Sequence, residues 1–414
     1  MLYKKIKGTR DYFGNEHNKL NYTFNLLEQI AKNFNFKKII TPTIEYTELF
    51  SRSVGEDTDV INKEMYTFVD RKNRSLSLKP EGTASVVRAA IENNLIVNNQ
   101  KPSLYYISSM FRYERPQKGR QREFFQFGVE HFGNDSAFKD VEIINFAKKI
   151  LDNLKIDKYI LEINSIGGAD SRAKYNEALT LFLKSKSASL SESANAKINN
   201  KNVFRVFDTK DDNDLKILKE APKISEFISN DEKERFTKIK ELLDYLKINY
   251  VENYNLVRGL DYYNDLVFEF ISTDEEKLGA KSTIIGGGRY NLLVNKIDSS
   301  KDIPAIGFAI GIERLILAAN DFLETIKVKR IDYYICPIDN EYFKEALKIA
   351  NLLRNKNFIV EINFDNNKLS KKIEVANKLN AQNIIIVGEE TKNGSVLIKN
   401  LETGQQIAKT IKEM

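Results

Sequence analysis

The chain has 414 residues, 42% of them hydrophobic and 29% charged, which suits two or three globular domains and excludes a small module or a disordered chain. Its formal net charge of +6 is a mild excess over this length and only weakly favours anionic partners. One cysteine, Cys336, and two histidines, His17 and His131, exclude a disulfide framework, a four-ligand Cys/His zinc site and a histidine-based nucleophilic triad.

Any chemistry must therefore run on carboxylates, arginines, amides and phenols. The opening MLYKKIKGTRDYF holds no apolar stretch of signal-peptide length, and no later segment approaches a membrane span. A soluble, cytoplasmic protein is predicted. Leu20, Phe24, Leu27, Ala31 and Phe34 share one helical face, which predicts a helix over 20–34. Residues 37–80 mix β-branched segments with polar turns. The stretch ASVVRAAIE (84–92) reads as a helix with Thr83 as its N-cap, so PEGT (80–83) is by itself a turn with a cap.

Residues 103–132 form two strand-like runs around a loop. Because side chains alternate along a strand, FFQFGVE puts Phe125, Phe127 and Val129 on one face and Phe124, Gln126, Gly128 and Glu130 on the other. SLYYISSMFRYE places Ser108, Met110, Arg112 and Glu114 on one side. Paired as a hairpin, the runs give a core face and a second face carrying Arg112, Phe124, Gln126 and Glu130. Between them five cations, Arg112, Arg115, Lys118, Arg120 and Arg122, fall within eleven residues. A solvated basic tip would explain the loop alone. Polar residues that continue onto strand positions beside an aromatic favour a site instead. Its natural guests are a phosphate for the arginines, a planar base for Phe124 and a cationic or donor group for Glu130.

Another amphipathic helix is expected at 137–154, followed by a small helical insertion, rich in Ser, Asn, Lys and Asp, from about 168 to 247. Strand-like segments return at 256–271 and 282–294, and a glycine-containing amphipathic helix over 304–319 closes the first unit. Within them LVRGLDYY (256–263) holds Arg258, Tyr262 and Tyr263, and GGGRY (286–290) allows either a close backbone approach to a ligand or a tight turn. In GFAIGIERLIL (307–317) two glycines stand one helical turn apart, with Glu313 and Arg314 readable as a surface pair. The chain has neither a G-x-x-x-x-G-K-[ST] nor a G-x-G-x-x-G run, so a bound nucleotide would have its phosphates held by arginines.

Residues 321–330 read as a linker. Beyond them YYICPI, FIVEINF and NIIIVG alternate with helical stretches at 342–356 and 368–380, a β-α-β-α-β order that implies an α/β domain with a largely parallel sheet. Cys336, inside YYICPI, reads as a buried inert thiol. From 331 to 414 there are 12 Lys and Arg against 11 Asp and Glu, so charge alone does not mark this domain as a nucleic-acid binder.

Taken in order, these stretches resemble the histidyl-tRNA synthetase family of class II aminoacyl-tRNA synthetases nearly end to end. KGTRDY, EMYTF, PEGT, FRYERPQKGR with FFQFGVE, LVRGLDYYN, GGGRYNLLV, GFAIGIERL and the C-terminal VLIKNLETGQQ carry the resemblance. FRYERP resembles class II motif 2 and GIERL motif 3, while ITPTIEY, with Pro42, sits where motif 1 is expected. The resemblance implies an α+β catalytic domain over 1–325, its antiparallel class II sheet flanked by helices and interrupted by the insertion at about 168–247. It also implies a C-terminal α/β anticodon-binding domain over 326–414 and a homodimer formed partly through motif 1. The implied reaction is histidine–tRNA ligation. L-Histidine and ATP with Mg2+ give histidyl-adenylate and diphosphate, and the histidyl group then moves to the 3′ end of tRNA-His. No dedicated all-protein metal site is implied.

Carried onto this sequence, the family pattern gives Glu81 and Thr83, with Gln126, the substrate ammonium, and Gly82 lies in the same histidine-binding stretch. Glu130 and Tyr263 would read the two ring nitrogens and Tyr262 would line the pocket. Such a demand for hydrogen bonds rejects apolar analogues by roughly 10⁴–10⁵, in keeping with the absence of a recognisable editing domain. Phe124 and Arg314 would sandwich adenine, with Glu114 near its exocyclic amine and Arg120 near the terminal phosphates. Arg112 and Arg258 would bracket the α-phosphate beside the histidine carboxylate as the catalytic pair, Arg258 standing where other class II enzymes use a metal ion. Arg115 and Gln117 resemble positions facing the tRNA acceptor end. Two departures stand out: Asn291 where the family usually has Asp, and ANKLN where a more basic, glycine-containing pattern is common. The competing resemblance is to the non-catalytic, histidine-sensing regulatory subunit of ATP phosphoribosyltransferase.

Overall fold

Apolar spacing sets the first helix, α1 (Gly14–Asn33), which buries Leu20, Thr23, Leu27, Ile30 and Ala31 and ends just before Asn35 turns to a positive φ of 59°. The computed structural model describes residues 3–55, 58, 60–97, 100–198, 203–209, 211–279, 282–326 and 330–413. Two units emerge, Met1–Thr325 and Ile326–Met414.

In the first unit, helix α2 (Thr83–Glu92) precedes the expected hairpin, β1 (Ser103–Phe111) and β2 (Glu123–Phe132), which pair antiparallel with Ser108 opposite Gln126 and Met110 opposite Phe124. Helix α3 (Ala137–Asn153), capped by Ser136 accepting from the Phe138 amide, covers the core face of this hairpin. Phe146 from α3 meets Phe127 and Phe308 edge-on and stacks on Phe34, with ring centroids 4.4 Å apart. Each such buried side chain contributes about 1.5–3 kcal/mol of transfer free energy. With that face filled, the alternate residues of β2 are left for the other side of the sheet.

Strand β3 (Tyr159–Ser165) leads into the insertion, whose main helices are α4 (Ala169–Ser185) and α5 (Asn230–Tyr245) with short helical turns between them. The insertion has its own core, built on Tyr175, Leu179, Leu183, Phe204, Val206 and Ile224. Residues 199–202, part of its predicted polar stretch, lie outside the described residues. Strands β4 (Asn264–Ser272), β5 (Thr283–Arg289) and β6 (Ala305–Gly311) complete the sheet, and α6 (Ile312–Ala318) follows directly.

The eight-stranded order is Lys37–Lys38, β1, β2, β6, β5, β4, β3, Val251–Glu252. The inner pairings are antiparallel, as the class II resemblance implies, while the two short edge strands add in parallel. The helix predicted over 304–319 is corrected: its first half is strand β6, and only 312–318 is helical. AIGFAIG is a short apolar run in which periodicity does not separate strand from helix, and pairing on both edges decides it. Likewise 256–263 carries no strand, the predicted run beginning only at Asn264. Of the expected linker 321–330, residues 321–324 are helical and 327–329 lie outside the described residues.

In the second unit β7 (Tyr333–Pro337), α7 (Phe343–Asn355), β8 (Val360–Ile362), α8 (Leu369–Lys378) and β9 (Asn383–Val387) follow the predicted alternation. The β7–β8 and β7–β9 pairings are parallel, but β10 (Ser395–Asn400) and β11 (Gln406–Thr410) add an antiparallel hairpin, so the sheet is mixed. Cys336 is fully buried, and burial pushes its thiol up to about 12. No helix among the described residues is long and apolar enough to cross a membrane.

A buried ion network joins the elements of the first unit. Arg289, at the end of β5 and 0% exposed, contacts Asp140 of α3 at 2.6 Å and donates to the Asn134 carbonyl at 3.0 Å. Arg235 of α5 binds the other oxygen of Asp140 at 2.7 Å and Asp265 of β4 at 3.1 Å, tying the insertion to the sheet. Burial works against the charge of Arg235, but Asp140 and Asp265 outweigh it and hold the guanidinium above its usual pKa. Removing one member of such a cluster strands the others without a counter-charge. Asp140→Ala is therefore expected to lower the unfolding free energy of this unit by about 3–5 kcal/mol, and Asp140→Asn by less, in urea denaturation followed by circular dichroism.

Candidate active site

The start of α2 differs from the expected cap in an instructive way. Thr83 is already helical, and it is the Glu81 carboxylate that accepts from the Thr83 and Ala84 amides, both at 2.8 Å. An acidic group at a helix N-terminus satisfies two free amides and meets the positive end of the helix dipole. The Thr83 hydroxyl is thereby left for Glu130, to which it donates at 2.8 Å. Beside them the Gln126 side-chain oxygen accepts from the Gly82 amide at 3.1 Å and from the Tyr106 hydroxyl at 3.0 Å. Three segments distant in sequence are thus locked into one polar corner.

Glu130 is 1% exposed, its second oxygen bonded to the Tyr290 hydroxyl. Burial pushes its pKa up to about 8 against the opposing pull of the Tyr290 and Thr83 hydrogen bonds. Burial likewise raises Glu81, partly offset by its two amide donors. The rings of Tyr262 and Tyr263 pack against each other at 4.7 Å, and Tyr262 meets Tyr290 edge-on at 5.6 Å. This end of the site is a nest of buried phenols around one carboxyl.

The cationic end is assembled separately. Arg112 donates through Nε to the Pro80 carbonyl at 2.9 Å and lies over the Phe124 ring at 5.4 Å. Arg258 pairs with Glu269, which also accepts from the Thr283 hydroxyl at 2.6 Å, and sits over the Tyr263 ring at 5.6 Å. A Cβ on Gly286 would fall 2.3 Å from the Arg258 guanidinium, so only glycine leaves this volume to the arginine. Arg314 donates to the Thr283 carbonyl at 2.6 Å. Its pKa is drawn down by burial and by Arg120 and Arg112, with Glu114 opposing. Like charges crowded this way favour binding of an anion.

Between the two ends lies a cavity of about 420 Å³. Glu81, Thr83, Arg112, Glu114, Arg120, Phe124, Gln126, Arg258, Tyr262, Tyr263 and Arg314 all line it. Gly82 and Glu130 stand just behind this wall, bonded to Gln126 and Thr83. Arg115 and Gln117 are exposed on the β1–β2 loop and do not line it. The proposed Glu313–Arg314 surface pair is corrected: Glu313 is buried and accepts from the Phe125 amide and the Tyr12 hydroxyl at 3.0 and 2.8 Å.

Sequence reasoning missed Tyr290, Tyr106 and Glu269. Tyr290 belongs to GGGRY, but its partner is 160 positions away, and nothing in local pattern joins them. Asn291 accepts from the Ala305 amide at 3.1 Å and receives an Arg289 donor at 3.3 Å, bracing the strand end as a carboxylate could. His131, paired with Ser103 at 2.8 Å, is pulled by burial down to about 3 and stays neutral in the core.

Comparison with known proteins identifies the family. Residues 8–315 match the family model described as histidyl-tRNA synthetase, and 332–414 the one described as anticodon binding domain. Histidine–tRNA ligase of Fervidobacterium nodosum is 42% identical over 411 residues, covering 98% of this chain and 96% of the relative. That of Thermosipho africanus is 43% identical over 408 residues, with 98% and 96% covered. The crystal structure of apo Staphylococcus aureus histidyl-tRNA synthetase superposes with a TM-score of 0.83 at 33% identity, covering 99% of this chain and 98% of that one. A Bacillus halodurans structure titled ATP phosphoribosyltransferase regulatory subunit/histidyl-tRNA synthetase has a TM-score of 0.66 at 20% identity, covering 94% and 98%, and shares the fold alone.

The raised Glu130 pKa has a consequence for stability. Below its ordinary value of 4.5 the carboxyl is protonated folded or unfolded, and between there and about 8 only the folded chain keeps the proton. Stability relative to Glu130→Gln should therefore fall as pH rises across that window, by at most about 1.4 kcal/mol per pH unit. Urea midpoints of both proteins at pH 5, 6, 7 and 8 should draw apart with that sign.

Proposed function

The chain belongs to the histidyl-tRNA synthetase family, and from that premise we propose that the cavity activates L-histidine with ATP and passes the histidyl group to the 3′ end of tRNA-His. The observation that carries this reading is that Arg112 and Arg258, from distant segments, line one cavity together with Glu81, Thr83 and Tyr263. A cationic end suits the triphosphate; a polar, phenol-lined end suits an amino acid with a ring that both donates and accepts.

Histidine binds with its ammonium toward Glu81, Thr83 and Gln126 and its ring toward Glu130 and Tyr263, Tyr262 closing the side. Adenine stacks between Phe124 and Arg314, with Glu114 near its amine and Arg120 near the outer phosphates. The histidine carboxylate, ionised at neutral pH, attacks the α-phosphorus without needing a base, and diphosphate leaves. Arg258 and Arg112 stabilise the charge that grows on the α-phosphate oxygens, each worth about 2.7–4 kcal/mol by analogy with other donors aimed at developing charge. Magnesium fits as an ion carried by the nucleotide. Glu81 and Glu313 already use their oxygens on backbone amides, so the wall offers little of the carboxylate cage a protein-held ion requires.

For the RNA, Arg115 and Gln117, exposed on the loop, suit contact with the acceptor end, and the second unit takes the anticodon. A homodimer is supported by apolar residues left outside around motif 1: Ile40 is 79% exposed, and Ile44, Tyr46, Phe68 and Val69 are exposed beside it. The protein works in the cytoplasm, where these substrates are. A purely histidine-sensing role accounts for the polar end of the cavity but gives no use to the arginines opposite it.

ATP–pyrophosphate exchange with each amino acid in turn tests the reading, and histidine alone should support it. Exchange with no amino acid would favour the sensing role, and exchange with a different one would overturn the specificity. Arg258→His should cut histidine-dependent exchange by about 10²-fold or more while ATP still binds. Gly286→Ala should mimic it with little loss of stability, because the new methyl meets the mobile end of Arg258 rather than backbone. Near wild-type exchange in either variant would remove Arg258 from the reaction.

A further inference from the structure

Residues 253–263, which carry Arg258, Tyr262 and Tyr263, form no strand or helix of their own. Strand β3 holds their start, Asn164 donating to the Tyr254 and Leu256 carbonyls at 3.3 and 3.0 Å, and the helical insertion holds much of the rest. Arg172 of α4 donates through Nη1 to the Tyr263 carbonyl at 2.6 Å, its guanidinium lying over the Phe204 ring at 5.5 Å. Arg205, beside Phe204, pairs with Asp261 at 2.9 Å, and its own carbonyl accepts from Lys197 at 3.0 Å. Val257 packs on the insertion core, while Leu256, Tyr262 and Tyr263 pack in the core of the catalytic sheet. From the other side, the Asp261 amide donates to the Val54 carbonyl at 3.0 Å, and the Asp261 carboxylate fills the space a Cβ on Gly55 would take.

The loop therefore lies along the seam of two cores, and the insertion grips its backbone and its acidic side chain while leaving the faces toward the cavity free. A guanidinium bonded to a main-chain carbonyl fixes where the next peptide runs, and here that peptide belongs to the residue at the ring end of the pocket. Arg205 reaches the cavity wall itself. Burial pulls Arg172 below its usual pKa, with Asp261 opposing, in keeping with a cation drawn into the seam rather than resting in solvent.

We propose that the insertion sets the affinity for the amino acid: Arg172 and Arg205 are positioning residues that hold the 258–263 loop in the shape that binds the histidine ring. The inference rests on the reading of this cavity as a histidine site and adds Arg172, which does not line it, and Arg205, at its wall. If it holds, anything that displaces the insertion changes amino-acid recognition before it changes ATP binding.

The test is exchange kinetics on the full chain, with the KM for histidine and the KM for ATP measured separately for wild type, Arg172→Met, Arg172→Lys and Asp261→Asn. Loss of a hydrogen bond from a charged donor corresponds to about a tenfold effect or more, so Arg172→Met should raise the histidine KM by about tenfold and leave the ATP KM within about twofold. Arg172→Lys, which can still donate to the carbonyl, should recover most of the loss. Asp261→Asn, which weakens the second tie and leaves Arg172 in place, should shift the same constant and decides the matter if Arg172→Met does not fold. An unchanged histidine KM, both constants rising together, or a lysine variant as impaired as the methionine one would overturn the proposal. Wild type failing to exchange with histidine would overturn the functional reading and this inference together; wild-type exchange with unaltered variants would overturn this inference alone.

Discussion

Charged side chains can cross the face of the central sheet only because neighbouring strands give up side chains of their own. On β5, Gly286 leaves its volume to the Arg258 guanidinium; on β6, Gly307 sits opposite Glu130 in register, and a Cβ there would fall 2.2 Å from its carboxylate. Adjacent strands lie about 4.8 Å apart, too close for two full side chains where one must lie flat across the other. The rest of the site follows from these two vacated positions. Arg258 can lie over Tyr263 and meet Glu269, and Glu130 can reach Thr83 and Tyr290. A methyl at Gly286 would meet only the end of Arg258, whereas one at Gly307 would also fall 2.2 Å from the Val129 carbonyl of the paired strand.

Much of this was legible in sequence and some of it was not, for reasons that can be named. The alternation of FFQFGVE sorts Phe127 and Val129 to the core and Gln126 to the cavity because a strand has only two faces and α3 fills one of them. GFAIG failed as a helix because two glycines four apart fit a helical turn as well as two positions on one strand face. In the second unit the β10–β11 hairpin escaped the β-α-β-α-β pattern, since a sheet can accept antiparallel strands after its parallel ones without any local signal. Tyr290, Glu269 and Arg172 were invisible for a different reason: their roles are contacts with residues far off in the chain, and no local period encodes a partner. What the sequence carries is which residues share a face; which faces meet is decided by packing.

The electrostatics divide along the same cavity. At one end burial and the neighbouring Arg120 and Arg112 work against the charge of Arg314, with Glu114 3.9 Å from Arg112 and 3.5 Å from Arg120 as partial relief. Such an arrangement is held by the fold against its own repulsion and is relieved by a multivalent anion, which is how a chain without a glycine-rich phosphate loop can hold a nucleotide. At the network beneath, Arg289 and Arg235 are ion-paired with Asp140, Asp265 and Asp135. The first group is poised for a ligand and the second for stability, and only the second should resist salt, because it is buried beyond the reach of screening.

At the other end the question is what a ring must offer to be welcome. Tyr106, Tyr262, Tyr263 and Tyr290 are all raised above the ordinary phenol range, burial being the first cause in each, so every hydroxyl keeps its proton at neutral pH. Phenols so held can donate, and Glu130, the carboxyl among them, titrates close to neutrality and can either accept or donate. A ring with no nitrogen would cover this polar corner and its water while offering it no hydrogen bond in return. On the proposed reading, a ring with one N–H and one bare nitrogen meets an acceptor and a donor together, and an N–H aimed at Glu130 favours its ionised form. Recognition and loss of the Glu130 proton are linked in this reading, through the same burial that raises its carboxyl.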